Sequence, residues 1–308
     1  MNPGYQAFLI DVGRLSIWLL FLVAVFLPLE RWFAVRPHRV LRKGALTDLS
    51  YYYINNLVPA ALLSVPIALL AQLSHQLIPA GFLAWVAGLP LAARLGAAFV
   101  AGEFGYYWGH RWCHEVPFLW RFHAIHHSAE EMDFLVHTRA HPFDMAFGRF
   151  CGFVPIYVLG LGGPANLEGS LVPVAATLFG TMLGFFIHSN IRWRFGPLER
   201  VIATPAFHHW HHTRSGPIDR NFSSSLPWLD WIFGSLYLPA VWPDDYGIRE
   251  PMPGNLVDQL VHPLFPTSPS PSPEPAPGTE SREMAAPSAD LPGQSPQPAD
   301  LANPTSVC

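Results

Sequence analysis

Apolar residues are concentrated in long runs that polar segments separate. Five runs approach or exceed the roughly 20 residues that a helix needs to cross a bilayer. They cover residues 5–29, 49–73, 91–109, 146–163 and 170–188. Residues 76–91 are also apolar, but prolines and a glycine interrupt them, and we predict an interfacial or re-entrant segment there. The pattern predicts an all-α fold, a polytopic membrane helical bundle with about five crossings.

Basic residues indicate which side of the membrane each loop occupies. The loop after the first run contains Arg31, Arg36, Arg39, Arg42 and Lys43. Cytoplasmic loops carry an excess of lysine and arginine, so this loop is predicted to be cytoplasmic and the N-terminus external. Counting crossings from there places residues 110–145 and 189–262 on the cytoplasmic side as a helical cap. We expect an integral, multi-pass protein of a bacterial inner membrane.

The composition supports a membrane protein. Half of the residues are hydrophobic and 13% are charged, about half the charged share of a soluble domain. The net charge of −4 and the absence of a basic patch give no indication of nucleic-acid binding. Cys113, Cys151 and Cys308 show no zinc-ribbon spacing.

Three parts are expected along the chain. Residues 1–90 would form N-terminal membrane helices, and residues 91–262 a catalytic domain that includes a membrane hairpin. From residue 263 onward, proline, serine, alanine and acidic residues dominate. Such a segment buries too little apolar surface to offset its ordering entropy, so residues 263–308 are predicted to be a disordered tail.

Histidines are the unusual feature, because ten of the fifteen fall into ordered clusters near the ends of apolar runs. The clusters are His110-Arg-Trp-Cys-His114, His123-Ala-Ile-His126-His127, the single His188, and His208-His-Trp-His211-His212. Residues four apart share one face of a helix, so three i,i+4 pairs could each direct two imidazoles to one metal ion. The inserted His126 and His211 lie about 100° around the helix and could approach a second ion.

Eight or nine imidazoles suit two metal ions with an open position at each. Imidazole binds iron, zinc, copper and nickel, so the ligand set does not name the metal. One HxxxH pair often arises by chance, whereas three ordered clusters rarely do. Histidines near lipid also cost free energy, which favours a functional role.

The clusters HRWCH, HAIHHS and HHWHH, in this order and spacing, resemble the three-box signature of the fatty acid hydroxylase / sterol desaturase superfamily. Thr138-Arg-Ala-His-Pro142 resembles the stretch after its second box, and His188-Ser-Asn190 its later histidine. Trp228-Leu-Asp230-Trp-Ile-Phe-Gly234 resembles the segment after its last box, with a different spacing. The resemblance covers roughly residues 90–240.

The resemblance implies a centre of two iron ions that activates O2 and hydroxylates or desaturates a membrane lipid, such as a sterol or fatty acyl lipid. The implied metal ligands are His110, His114, His123, His126, His127, His188, His208, His211 and His212. His209 is extra to the pattern, and for His137 and His141 we favour an outer or structural role over metal ligation.

Acidic residues are candidates for orienting the ligands, since metal-bound histidines usually donate their other N–H to a carboxylate or carbonyl. Glu103 lies two helical turns before His110 and could support it or pair with an arginine. Asp144 and Asp230 are further candidates, together with His141.

Electrons must come from another protein, because the chain carries no haem-binding His-Pro-Gly-Gly, dinucleotide fingerprint or ferredoxin cysteines. A cytochrome b5-like protein, a ferredoxin or a reductase would fit. Two alternatives compete with an oxygenase. A metal transporter or sensor would place histidines and acids along spans, and a zinc hydrolase would carry a complete HExxH-type motif.

Overall fold

The computed structural model describes residues 2–37, 39–162 and 167–265. Helices account for all regular structure in these ranges, and the two β-bridges there, Ala34–Ile191 and Thr213–Tyr246, are isolated. The α-helices are α1 (Pro3–Trp32), α2 (Ala45–Leu77), α3 (Ala80–Ala87), α4 (Leu91–Glu115), α5 (Pro117–His127), α6 (Pro142–Val158), α7 (Leu167–His188), α8 (Pro205–His211), α9 (Trp228–Ile232) and α10 (Leu256–Val261). Short 3-10 helices occupy Phe134–Thr138 and Gly196–Arg200. The all-α prediction is confirmed for the described residues.

Two helices of the described part of the chain are long and apolar enough to span a membrane. They are α1 and α2, and the pair α3–α4, bent by 114° at its break, gives a third candidate if it forms one span. The interruption predicted within residues 76–91 coincides with this break. The structure thus gives a membrane protein with two or three candidate spans. The predicted runs 146–163 and 170–188 correspond to α6, of 17 residues, and α7, of 22.

The tail predicted from residue 263 to residue 308 cannot be compared with the structure beyond Phe265. Residues 266–308 lie outside the described residues.

A seam of small residues brings α4 against α6. A Cβ at Gly105 would overlap the backbone oxygen of Cys151, and one at Gly109 would come within 2.6 Å of the Cys151 Cβ. Glycine permits this approach because it has no side chain to separate the two backbones. The seam places the C-terminal end of α4, which bears the first histidine cluster, beside Asp144 on α6.

The arginine loop is partly structural. Arg42 is buried and pairs with Asp48 at 2.6 Å and with Asp133 at 2.7 Å. Asp48 also pairs with Arg139 at 2.8 Å. The network ties the start of α2 to the segment after α5, and the charge of Arg42 is therefore neutralised inside the protein.

Candidate metal centre

The structure gathers all nine predicted histidines into two adjacent groups. Within each group, one nitrogen from every ring lies within 4.8 Å of the others. Group 1 comprises His110, His114, His123, His127 and His211. Group 2 comprises His126, His188, His208 and His212.

The inserted histidines distribute the clusters between the two groups. His126 joins group 2 although its neighbours His123 and His127 belong to group 1, and His211 joins group 1 although His208 and His212 belong to group 2. The rotation of about 100° per residue explains this exchange, because each inserted ring leaves its helix on a different side. The i,i+4 pairs and the offset histidines are therefore arranged as the spacing predicts.

Group 1 is oriented by hydrogen bonds on the outer side of its rings. The Nδ1–H of His110 donates to the carbonyl of Phe222 at 2.6 Å, and that of His211 to the carbonyl of Arg220 at 2.8 Å. His123 Nδ1 lies 3.1 Å from both carboxylate oxygens of Asp144, and His114 Nδ1 lies 3.0 Å from Asp219. A carbonyl or carboxylate can only accept, so each of these four rings carries its proton on Nδ1 and presents an Nε2 lone pair.

Two of the four rings of group 2 are also oriented by hydrogen bonds from Nδ1. His126 Nδ1 donates to the carbonyl of Arg139 at 3.0 Å, and His188 Nδ1 to that of Gly184 at 2.7 Å. The Nδ1 atoms of His208 and His212 are buried without a hydrogen-bond partner among the described residues. Their Nε2 atoms face inward, at 2.9 Å from His188 Nε2 for His208 and 3.1 Å from His208 Nε2 for His212.

The donor set fits metal ions. Nε2 atoms that approach one another, such as those of His110 and His123 at 3.1 Å, would repel as two lone pairs. Histidine nitrogens that bind one metal at about 2.1 Å and at right angles lie about 3 Å apart, which matches these separations. The buried Nε2 atoms of His114 and His211 have no hydrogen-bond partner among the described residues, as expected of ligand atoms.

Burial favours the neutral, metal-binding form of the rings. It lowers the pKa of His211 to about 3, and burial followed by the neighbouring histidines puts the pKa of His127 and His212 well below the usual range. Metal binding requires neutral imidazole, so the protein environment keeps these ligands available at physiological pH.

Asp144 is the one predicted outer residue that contacts a group directly. Its carboxylate bonds His123 and also lies 3.6 Å from the Cys113 sulfur. Among the described residues, Glu103 forms no hydrogen bond with His110 and no ion pair with an arginine. It accepts hydrogen bonds from Ser224 and from the backbone N–H of Ser225.

Asp230 acts at the same segment as Glu103. It accepts from the backbone N–H groups of Phe222 and Ser223 at 2.7 and 3.0 Å. Both acids therefore brace residues 222–225, and the carbonyl of Phe222 in turn orients His110. The two acids thus support His110 through this loop and not by the direct contact that the sequence predicts. The spacing of residues within one helix does not indicate which loop will pack against it.

Three of the described histidines outside both groups are His137, His141 and His209. The Nδ1 atom of His141 accepts a hydrogen bond from the backbone N–H of Phe143 at the start of α6, and its Nε2 atom lies 3.2 Å from the carbonyl of Leu260. His209 contacts Tyr246 and the carbonyl of Ser189. His137 packs its ring 5.3 Å from that of His188.

Sequence reasoning missed the acceptors that the loops supply. Asp219 adopts a left-handed backbone conformation, with φ at 58°, at a turn that brings its carboxylate to His114. Backbone carbonyls orient four more ligands, and no side-chain pattern reports them. The Asp219-Arg220-Asn221 stretch was a usable signal, since asparagine and aspartate tolerate left-handed turns.

Two openings reach the groups from different sides. A mostly apolar cavity of about 170 Å³ lies between α4, α6 and α7 and is bordered by His110, His123, His126, His188 and His208. A second opening, of about 320 Å³, is more polar than the first. It is bordered by His114, His127, His211, Asp219, Arg214 and Arg249. The centre is thus accessible from an apolar side and from a polar side.

An all-helical chain with membrane-length helices and nine converging histidines defines a class of membrane protein with a candidate di-metal centre. The fatty acid hydroxylase family matches residues 95–235 of the chain, which confirms the resemblance. The matched region, which contains all nine of the predicted histidines, belongs to the fatty acid hydroxylase family.

Individual relatives are lipid-modifying enzymes by name. The chain is 31% identical over 229 residues to ornithine lipid hydroxylase OlsE of Rhizobium tropici, covering 74% of this chain and 64% of that protein. It is 32% identical over 140 residues to human alkylglycerol monooxygenase, covering 45% and 29%. It is 29% identical over 149 residues to methylsterol monooxygenase 2-2 of Arabidopsis thaliana, covering 47% of this chain and 53% of that protein. The chain spans less than two thirds of each of these proteins. No solved structure matches it with significance.

Proposed function

We propose that the chain is an O2-dependent oxidoreductase that hydroxylates or desaturates a membrane lipid at a centre of two iron ions. The nine histidines of groups 1 and 2 would hold the metals. The observation that carries the proposal is the apolar cavity that ends on both groups. Bound iron would supply the activation of O2, and the names of the relatives favour a lipid with a polar head and a long apolar part.

The residues of this chain have separate tasks in that reaction. The walls of α4, α6 and α7 would bind the apolar part of the lipid and exclude water from the reacting carbon. Asp144, Asp219 and the carbonyls of Phe222 and Arg139 would hold the imidazoles in one orientation and one tautomer.

Electrons would arrive from a separate donor at the polar opening. Three group 1 rings border it, which makes it the polar approach to the centre. A cytochrome b5-like protein, a ferredoxin or a reductase would suit this role.

The decisive experiment combines metal analysis with turnover. We expect purified protein reconstituted with ferrous iron to bind about two ions per chain and to consume O2 only with a reductant and a lipid extract. Mass spectrometry should then find a lipid product heavier by one oxygen or lighter by two hydrogens. Metal-dependent hydrolysis, or metal flux in vesicles without O2 uptake, would contradict an oxygenase.

We further propose five crossings, with α6 and α7 as a hairpin, and with both groups at the cytoplasmic face of a bacterial inner membrane. Reporters fused after Lys43 and after Glu131 should then give cytoplasmic signals, and one at Pro79 the opposite signal, because α2 would cross between them. Fusions should be scored only where the protein retains its metal. An external signal after Glu131 would overturn this placement.

A further inference from the structure

Arg149 is the cationic side chain in the wall of the apolar cavity. It lies on α6, is half-buried, and borders the cavity together with Tyr106 and His137. A guanidinium in apolar surroundings costs free energy unless an anion meets it.

The acids that border the cavity are engaged elsewhere. Glu103 is held by Ser224 and Ser225, and Asp144 by His123. Within the part of the chain that the structure describes, no carboxylate forms an ion pair with Arg149. The protein therefore supplies a positive charge in the cavity without supplying its counter-charge there.

The position of Arg149 relative to the histidines is set by its helix. It lies five residues after Asp144, which contacts His123, so the two Cα atoms are about 7.5 Å apart along the axis. His137 borders the cavity together with Arg149, and its ring packs 5.3 Å from that of His188 in group 2, so the same wall leads to the metal groups. Gly180 on α7 also borders the cavity, and no atom lies within 4 Å of the position a Cβ would take there, so this wall leaves open space.

We propose that Arg149 binds an anionic group of the lipid substrate, a carboxylate or a phosphate, and thereby selects a carbon close to that group for oxidation. This inference rests on the proposed function of the same site. The apolar chain would extend away from the histidines, between α4, α6 and α7. Oxidation near the head of the lipid, and not at the far end of its chain, would follow, because Arg149 and the histidines of both groups border the same small cavity.

Binding of matched lipid pairs tests the proposal without turnover. The probes are palmitate against palmityl alcohol, and phosphatidic acid against the diacylglycerol with the same chains. Native mass spectrometry of metal-loaded protein in a neutral detergent would measure occupancy for the wild type, Arg149→Met and Arg149→Lys. Arg121→Met is the matched control, because Arg121 is exposed on α5 and does not border the cavity.

The wild type should prefer at least one anionic probe over its neutral partner by about ten- to a hundredfold, the range of a charged hydrogen bond. Arg149→Met should abolish the preference while keeping the metal content, Arg149→Lys should retain part of it, and Arg121→Met all of it. Which pair discriminates separates a carboxylate from a phosphate. Equal binding within both pairs, no binding of either anion by the wild type, or an unchanged preference in Arg149→Met would overturn the proposal.

Failure of the proposed function has a different signature. An anion preference that depends on Arg149, in a protein that consumes no O2 with any lipid, would support the anion site and contradict the oxygenase. Oxygenase activity without a preference for anionic lipids would support the oxygenase and contradict the anion site.

Discussion

Removing two histidines of one group is expected to halve the metal content of the protein and to abolish its activity. The substitutions are His114→Ala with His211→Ala in group 1, and His126→Ala with His188→Ala in group 2. Each double substitution removes two ligands from one group and leaves the other group complete. We therefore expect about one ion per chain in either double variant, where the wild type binds about two.

The first pair joins residues from different clusters of the sequence, as does the second, so the result tests the grouping that the structure gives. Metal per chain is measured by mass spectrometry after dialysis against a weak chelator, with circular dichroism as the check on folding. His75→Ala is the control, because His75 is exposed on α2. Metal loss to near zero in either folded double variant would mean one cooperative cluster, and an unchanged content would mean that these histidines do not bind metal.

Asp144→Ala is expected to weaken metal binding by about ten- to a hundredfold, the usual effect of removing an outer carboxylate partner. Its carboxylate fixes the His123 ring through bonds of 3.1 Å, and 8% exposure of the side chain leaves little room for water to replace it. Without it, the ring can rotate and its Nε2 atom no longer points steadily toward group 1.

Asp219→Ala provides the comparison. Asp219 bonds His114 at 3.0 Å, but its side chain is 57% exposed, so water can take over as the acceptor. We expect a smaller loss of affinity than for Asp144→Ala. Metal titration and thermal unfolding should be measured together, since a purely structural role would lower stability without changing affinity. An equal or larger effect at Asp219 would show that burial does not govern the contribution.

Both acidic residues that brace residues 222–225 illustrate how local patterns mislead. Glu103 lies on the same helical stripe as His110, and the stripe alone makes a direct contact plausible. In the structure, a loop more than a hundred residues later in the chain contacts both residues. The backbone N–H of Ser225 donates to the Glu103 carboxylate, and the carbonyl of Phe222 accepts from the His110 ring. Loop crossings depend on the packing of distant helices, which spacing in one helix does not encode.

The sequence by itself determined the helices, the superfamily and the nine candidate ligands. Apolar run length and the i,i+4 spacing are local properties, and each helix turn enforces them without reference to the rest of the chain. It also determined that His126 and His211 leave their helices at a different angle from their neighbours.

Only the tertiary structure decided which rings meet, what orients them and what else borders the cavity. The glycine seam between α4 and α6 sets Asp144 against His123, and backbone carbonyls from distant loops fix the ring tautomers. The same packing places Arg149, one of 17 arginines, at the wall of the apolar cavity. These relations depend on contacts between helix faces far apart in the chain, and no periodicity within a single helix specifies its partner.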